Sequence, residues 1–254
     1  MYILGIETTG PYGSVAIIDE KGTILGYEVS ADTMSHMQEL IPMIDTMLKK
    51  THIKKEEITY VAPSIGPGSF TGIRIGVSTA RALAQVLGIR CIGVPTLESF
   101  LYKETKERAS SEKNAAANQV ICAILNARRG QVYGMIENYL QPGPYMLTEV
   151  LEAMEERAFA EGCTVKFYGD GIDAYAHKLE EFFAGREHLR TFAGEDKHQD
   201  AASVCRRALA KLAEEGETAA TAYDELLPEY MRKAEAEQKL EAGQLPICRG
   251  PKQE

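Results

Sequence analysis

The feature that most constrains the fold of this chain is a glycine-rich segment at residues 64–76, with the sequence SIGPGSFTGIRIG. It follows an apolar run and precedes an amphipathic one, which predicts a strand, a tight turn and a helix. Gly66 and Gly68 permit a positive φ or a close approach of another group, while Pro67 fixes its own φ. We expect Ser69 to be the N-cap of the helix, because its hydroxyl can accept a hydrogen bond from an amide one turn later.

Two interpretations of this turn stay open. The free amides and positive dipole of a helix N-terminus can bind an anion, which favours a phosphate site. A tight turn packed beneath a neighbouring element explains the same residues. The spacing matches neither a Walker loop nor a G-x-G-x-x-G dinucleotide motif. The residues of this glycine loop are Ser64, Gly66, Pro67, Gly68, Ser69, Thr71 and Arg74.

Composition restricts the classes of function. The chain has 254 residues and a formal net charge of −9, which opposes a broad nucleic-acid-binding face but leaves a local basic patch open. The first apolar run is interrupted by Glu7, and no uncharged segment has the length of a membrane span. Five widely spaced cysteines without a C-x-x-C motif predict unpaired thiols. We therefore expect a cytoplasmic protein without a membrane partner.

The order of predicted elements occurs twice along the chain. The predicted strands are residues 2–6, 14–19, 23–30, 59–62 and 89–94, then 119–125, 131–137, 145–149 and 165–168. The predicted helices are residues 35–50 and 69–87, then 151–161, 174–183 and 200–215. This repetition predicts two α/β domains of similar topology, at residues 1–105 and 106–232. The polar composition of residues 233–254 predicts a loose tail.

Two helices of the first half have features of a contact surface. Glycine inside a helix costs about 1 kcal/mol relative to alanine, so Gly72 and Gly76 predict the close approach of another backbone. The methionines concentrated at residues 34–47 suit an adaptable interface. The alternative is that both helices only cover their own sheet. The expected partner-interface residues are His36, Leu40, Ile44, Met47, Gly72, Ile73, Gly76, Thr79 and Leu83.

Residues 64–76 closely resemble the signature S-x-G-P-G-S-F-T-G-[LI]-R-[IL]-G of the TsaB (YeaZ-like) family, which acts in the bacterial synthesis of threonylcarbamoyladenosine in tRNA. Shorter similar segments are residues 3–9, 36–42, 93–97, 127–133, 169–171 and 226–232. The resemblance implies a fold of two ribonuclease-H-like halves, as in actin, sugar kinases and Hsp70 chaperones. This implied fold agrees with the repeated order of elements.

The resemblance also implies a function. A TsaB-like chain would be a non-catalytic dimerisation or scaffold subunit that binds and supports a TsaD-like threonylcarbamoyltransferase. A TsaE-like ATPase would be a further partner, tRNA would be met through the complex, and the chain alone would form a homodimer. No cofactor is expected. The alternative is an ATP-binding, kinase-like or acyltransferase enzyme of the same fold.

No catalytic and no metal-binding residue is expected. By the resemblance, catalytic relatives hold a metal through two histidines four residues apart, where this chain has Thr96 and Phe100. Phenylalanine offers no lone pair to a metal. Glu7, at the end of the first strand, and Asp170, between two glycines, are candidates for a vestigial nucleotide site. For both carboxylates, a structural hydrogen-bonding role is the alternative.

Two adjacent arginines, Arg128 and Arg129, lie at a predicted strand-to-strand turn. They could contact a phosphate or an acidic face of a partner, because the planar guanidinium suits both. The alternative, which is the more common one for exposed arginine pairs, is that they are solvated surface residues. Arg74, one turn into the helix of the glycine loop, has a similar pair of interpretations: contact with a partner, or fixing of the loop.

Overall fold

The computed structural model describes residues 1–31, 36–103 and 118–231, arranged in two lobes that each contain one sheet. The strands of the first lobe are β1 (Ile3–Glu7), β2 (Ser14–Ile18), β3 (Ile24–Val29), β4 (Tyr60–Gly66), β5 (Arg90–Cys91) and β6 (Val94–Pro95). The strands of the second lobe are β7 (Gln119–Asn126), β8 (Gln131–Ile136), β9 (Leu140–Met146), β10 (Thr164–Tyr168) and β11 (Arg190–Phe192).

The two sheets have the same topology. The first has the order β3-β2-β1-β4-β5, with β6 also beside β4, and the second has the order β9-β8-β7-β10-β11. In each sheet the first three strands along the chain are antiparallel neighbours, and the next two add in parallel. The predicted fold class, an α/β protein of two similar ribonuclease-H-like halves, is confirmed.

Helices and short turns connect and cover these strands. The helices are α1 (His36–Thr51), α2 (Phe70–Leu87), α3 (Thr96–Ser99), α4 (Leu147–Ala153), α5 (Gly171–Ala174), α6 (Ala176–Phe183) and α7 (Ala201–Glu215). A π-helical turn, Met154–Phe159, continues α4. The 3₁₀ turns are Lys55–Glu57, Phe100–Tyr102, Glu187–Leu189, Gly194–Lys197 and Gly216–Ala219.

The sequence-based prediction is right for the ends of α2 and wrong for the bounds of β9. The Ser69 hydroxyl accepts a hydrogen bond from the Gly72 amide at 3.2 Å, and Gly88 closes the helix with a φ of 68°. Strand β9 begins before the predicted residues 145–149 and ends where α4 begins. Its sequence, LQPGPYM, contains two prolines, which a strand tolerates only where the missing N–H is not needed, as at this sheet edge.

The first sheet is covered on both faces. Helices α1 and α2 cover one face, in a core that includes Leu4, Leu40 and Val77. Helix α7 covers the other face, where the Cys205 thiol lies 3.6 Å from the Ile3 carbonyl oxygen. The sequence-based boundaries assign α7 to the second domain, but it packs on the first lobe. The predicted boundary at residue 105 and the predicted tail at 233–254 lie outside the described residues.

A segment formed by α3 and the following 3₁₀ turn joins the two lobes. Leu97 and Phe100 pack on the second sheet in a buried cluster with Ile121, Ala123, Leu125, Met135 and Tyr168. Just beyond, the Lys103 ammonium forms an ion pair with Asp200 at 2.5 Å and donates to the His198 carbonyl oxygen at 2.7 Å. The end of this segment is thus tied to the residues just before α7, and a cleft remains on the side of the glycine loop.

Candidate functional site

The glycine loop is enclosed by two segments from distant parts of the chain. The Ser69 amide donates to the Thr9 carbonyl oxygen at 2.8 Å, and the Glu229 amide donates to the Ile65 carbonyl oxygen at 2.8 Å. Gly66 has a φ of 120°, and a Cβ at this position would collide with the Glu229 carbonyl oxygen. The loop is therefore packed beneath neighbouring segments, and the Ser69 amide is already bonded within the chain.

The helical glycines are crowded by the chain itself. A Cβ on Gly72 would collide with the Thr8 carbonyl oxygen, and a Cβ on Gly76 would lie 2.5 Å from the Thr8 hydroxyl oxygen. That hydroxyl donates to the Gly72 carbonyl oxygen at 2.7 Å. The backbone approach expected from these glycines is therefore made by the turn after β1 and needs no second molecule.

Burial corrects most of the expected partner-interface residues. The residues buried in the core of the first lobe are Leu40, Ile44, Met47, Gly72, Ile73 and Gly76. A side chain or glycine enclosed in this way cannot contact a partner while the lobe is folded. Thr79 and Leu83 are half-buried. His36 begins α1, and its side chain lies outside the described part of the structure.

The outer faces of α1 and α2 expose different residues. Val86 exposes 81% of its surface, and Ile41 exposes 52%. Ser78, Ala82 and Gln85 are also exposed on α2. Small side chains beside a large exposed apolar residue form a surface that another helix can approach closely. This outer surface of α2, defined by Ser78, Ala82, Gln85 and Val86, is called the outer helix face below.

Glu7 is sealed inside the first lobe. It is fully buried, and its Oε1 accepts hydrogen bonds from the amide and the hydroxyl of Thr9, the latter at 2.6 Å. Among the described residues its Oε2 has no hydrogen-bond partner. Burial raises the pKa of Glu7, because the charged form loses its hydration. These bonds to Thr9 are the ones that the structural alternative for Glu7 describes.

The two positions at which the resemblance places the metal ligands of catalytic relatives are closed by packing. Thr96 and Phe100 are both fully buried. The Thr96 hydroxyl lies 2.8 Å from that of Ser64, and the Phe100 ring lies 5.9 Å from the ring of Tyr168. Across residues 1–31, 36–103 and 118–231, no three His, Cys, Asp or Glu side chains come together to hold a metal ion.

A cleft of about 950 Å³ separates the glycine loop from the second lobe. Asp170 lines it, and its Oδ1 accepts a hydrogen bond from the Asn126 amide at 2.9 Å. Burial raises the pKa of Asp170. Glu7 does not line the cleft, so the two candidates for a vestigial nucleotide site are not brought together at its surface. The lining residues of the glycine loop are Pro67, Gly68, Ser69 and Thr71.

The rim of the cleft carries a cluster that sequence reasoning did not identify. The Arg74 guanidinium lies 3.9 Å from the centroid of the Phe70 ring, and its Nε donates to the Tyr230 hydroxyl at 3.1 Å. The rings of Phe70 and Tyr230 are 4.9 Å apart. The spacing of Phe70 and Arg74 could have indicated their contact, because residues four apart share a helix face. No local signal could place Tyr230 beside them.

The described structure also bears on the predictions about membrane-spanning segments and cysteines. None of the described helices combines the length and the apolar character needed to cross a membrane. The four cysteines in the described part of the chain are free and buried: Cys91, Cys122, Cys163 and Cys205. Burial raises the pKa of Cys91 to about 11, so its thiol is not ionised at neutral pH.

Comparison with known proteins identifies the family. The family model described as TsaD, tRNA N6-adenosine threonylcarbamoyltransferase, matches residues 30–240, which is most of the 254 residues. The chain belongs to the TsaD family. Within it the chain is TsaB-like, as the signature at residues 64–76 indicated.

Individual relatives support this placement. The tRNA threonylcarbamoyladenosine biosynthesis protein TsaB of Bacillus subtilis is 28% identical over 247 residues, which cover 94% of this chain and 97% of that protein. The protein of the same name from Buchnera aphidicola is 34% identical over 132 residues, which cover 52% of this chain and 58% of that protein. A crystal structure from Pseudomonas aeruginosa, described as an uncharacterized protein with similarity to peptidase YeaZ, has a TM-score of 0.68 at 21% identity. It covers 91% of this chain and 99% of that chain, which supports the fold alone.

Proposed function

We propose that this chain is a non-catalytic subunit that binds and supports a TsaD-like threonylcarbamoyltransferase during synthesis of threonylcarbamoyladenosine in tRNA. Several of its relatives are named tRNA threonylcarbamoyladenosine biosynthesis protein TsaB, one of them matched over nearly its full length, and another relative is named tRNA N6-adenosine threonylcarbamoyltransferase. In this proposal a TsaE-like ATPase joins the assembly, tRNA is met through the complex, and the chain alone forms a homodimer.

One observation carries the non-catalytic role. The positions that correspond to metal-binding histidines in catalytic relatives are Thr96 and Phe100, and both are fully buried. Phe100 belongs to the apolar cluster that joins the lobes. A metal with an open coordination position needs donor atoms and access for substrate, and this place offers an aromatic ring in a closed core. The burial of Thr96 and Phe100 therefore supports a structural role for these two positions, in contrast to the metal-binding role implied for catalytic relatives.

The outer helix face supports the binding role. Val86 is the most exposed large apolar residue among those described, and Ala82 and Ser78 stand one and two turns before it on α2. A protein partner that covers this face would remove apolar surface from water, which is the main driving force of association. The proposed interface therefore uses these exposed neighbours in place of the buried residues expected from the sequence.

The test measures assembly and modification together. The chain is mixed with the TsaD-like protein of the same organism, and co-elution and threonylcarbamoyladenosine formation are measured with the remaining pathway components. We expect Val86→Asp to weaken association at least tenfold and to lower modification in proportion, because a charge would be buried without a partner. Thr148→Asp, which adds the same charge at an exposed site of the second lobe, is the matched control and should change neither.

Two results would contradict this function. If the wild-type chain and Val86→Asp assembled equally well with the TsaD-like protein, the outer helix face would not be the interface. Robust modification of tRNA by this chain without any TsaD-like protein would favour the alternative of an ATP-binding or acyltransferase enzyme. The second measurement uses the purified chain with ATP, zinc or iron, threonylcarbamoyl adenylate and tRNA.

A further inference from the structure

The cleft between the lobes collects cationic and aromatic side chains that a scaffold does not need. Arg128 and Arg129 line one side and are exposed. Phe70 and Tyr230 line the other side and expose 39% and 42% of their surfaces. Exposed aromatic rings opposite arginines form a combination that binds planar groups and phosphates at the same time.

The arginines are held in place by an unusual turn. Arg128 and Arg129 have φ values of 64° and 55°, in the left-handed region that residues with a side chain seldom adopt. The Arg128 amide donates to Asn126 Oδ1 at 2.9 Å, and the Gln131 amide donates to the Arg128 carbonyl oxygen at 3.0 Å. Tyr175 donates its hydroxyl to the Gln131 carbonyl oxygen at 3.0 Å. The turn therefore presents both arginines from a fixed backbone, which reduces the entropy lost on binding.

The charges around the cleft leave Arg128 able to bind an anion, and Arg129 lies beside it on the same exposed turn. Within the described chain no ion pair engages Arg128. Asp170 and Glu229 also line the cleft, and Asp170 Oδ1 already accepts a hydrogen bond from the Asn126 amide. The whole chain carries a net charge of −9. Non-specific attraction of a polyanion is therefore opposed, and any such binding depends on local contacts.

We propose that this cleft binds a single-stranded segment of RNA, with phosphates at Arg128 and Arg129 and bases stacked on Phe70 and Tyr230. The proposal rests on the proposed function, which brings the chain to tRNA. Proteins that bind single-stranded RNA combine cationic contacts to the backbone with aromatic platforms for the bases. The volume of about 950 Å³ accommodates more than one nucleotide, and the cleft is open along its rim.

A nucleoside triphosphate fits this cleft less well. Such ligands are held with Mg²⁺, which proteins bind through one or two carboxylates together with the phosphates. Glu7 is sealed in the first lobe. Of the two carboxylates that line the cleft, Asp170 has one oxygen engaged by a backbone amide, and Glu229 is half-buried. An RNA phosphodiester carries a single charge and needs no such cage. The RNA segment is therefore the occupant that the side chains favour.

The experiment measures RNA binding by fluorescence anisotropy with the full chain, alone and assembled with its TsaD-like partner. The probes are a labelled single-stranded RNA oligonucleotide and unmodified tRNA. We expect the double variant Arg128→Glu, Arg129→Glu to weaken binding at least tenfold and to reduce the salt slope by about 1.4, since each single-strand phosphate contact contributes about 0.7. Lys178→Glu, an exposed charge reversal elsewhere on the second lobe, should have little effect.

Aromatic variants test the stacking part separately. Tyr230→Ala should weaken RNA binding about tenfold with an unchanged salt slope, because stacking involves no counterion release. Tyr230→Phe keeps the ring and removes only the bond to Arg74, so it should bind like the wild-type chain. An equal loss in both variants would overturn the stacking arrangement.

Several results would overturn the proposal. These are absence of RNA binding both alone and in the assembly, equal losses with Lys178→Glu and the double arginine variant, or full displacement of RNA by free ATP or ADP. The outcome is separable from that of the proposed function, because co-elution with the TsaD-like protein is measured for every variant. Loss of RNA binding with intact co-elution supports the RNA cleft, whereas failed co-elution by the wild-type chain contradicts only the proposed function.

Discussion

The two faces of α2 differ in what surrounds them. On the inner face, Gly72 and Gly76 have no room for a Cβ, because Thr8 occupies the space in front of them. On the outer face, Ala82 and Val86 are exposed. Glycine spacing thus marks the side of the helix that is already occupied. The side available to a partner is marked by exposed small and apolar residues, which only the packed structure distinguishes.

This difference changes how an interface should be tested. An arginine at Gly72 or Gly76 would have to displace Thr8, so it would damage the fold of the first lobe before it reached any partner. Loss of assembly in such a variant could not be assigned to the interface. Substitutions at exposed Val86 or Ala82 avoid this problem, because the lobe does not enclose them.

The largest expected effect is on the inner face. We expect Gly72→Ala to lower the free energy of unfolding by about 3 kcal/mol, the upper part of the usual range for overpacking, because the obstructing atom is a backbone oxygen. Urea denaturation followed by circular dichroism measures it. Ser78→Ala, at an exposed position of the same helix, is the control and should stay within about 0.5 kcal/mol of the wild-type chain. Similar stabilities for the two variants would mean that the inner face is not closed.

The next effect is the pH dependence of stability caused by the buried carboxyl group of Glu7. Burial raises the folded-state pKa of Glu7 above its ordinary value of 4.5, so folding favours the protonated form. The corresponding stability is fully present below pH 4.5 and is lost as the pH rises through the folded-state pKa. One proton changes stability by no more than about 1.4 kcal/mol per pH unit.

Glu7→Gln removes this ionisation. The difference in unfolding free energy between Glu7→Gln and the wild-type chain should therefore shift in favour of the variant as the pH rises from 4.5. Urea denaturation of both proteins at several pH values between 4.5 and 8 measures the difference. Parallel pH profiles would show that Glu7 has the same proton affinity in the folded and unfolded chains, which would contradict its burial.

The smallest expected effect is at the beginning of α2, where the two faces meet the cleft. Ser69→Ala removes the N-cap hydrogen bond to the Gly72 amide and should lower the unfolding free energy by about 1 kcal/mol. Ser69→Asp keeps an acceptor at the cap and should restore most of the loss. If Ser69→Asp were as unstable as Ser69→Ala, another role of Ser69 would have to explain the effect. Thermal and urea denaturation compare the three proteins.

Local signals account for much of the fold. Ser69 and Gly88 mark both ends of α2, since capping depends on residues within one turn. The repeated order of elements predicts the two sheets, because strand order follows from antiparallel hairpins and parallel crossovers. The two prolines of β9 make its sequence unlike that of a typical strand, because proline lacks the amide N–H that an interior strand would use for pairing.

The candidate site is less visible in the sequence because its parts come from distant segments. Phe70 and Tyr230 meet across most of the chain, and nothing local to either residue indicates the other. The direction in which Gly72 faces also depends on Thr8, far earlier in the chain. Arg128 and Arg129 were recognised as a turn, but their position opposite the glycine loop follows from the way the lobes are joined.

The return of α7 to the first sheet has a consequence for synthesis on the ribosome. One whole face of that sheet stays open to water until residues 201–215 have emerged, although its strands are among the first to be made. The lobe translated first is therefore the last to be completed. A gene truncated before residue 201 would yield a sheet with one exposed apolar face. Such a product would be a substrate for chaperones or proteases and would not fold as an independent module.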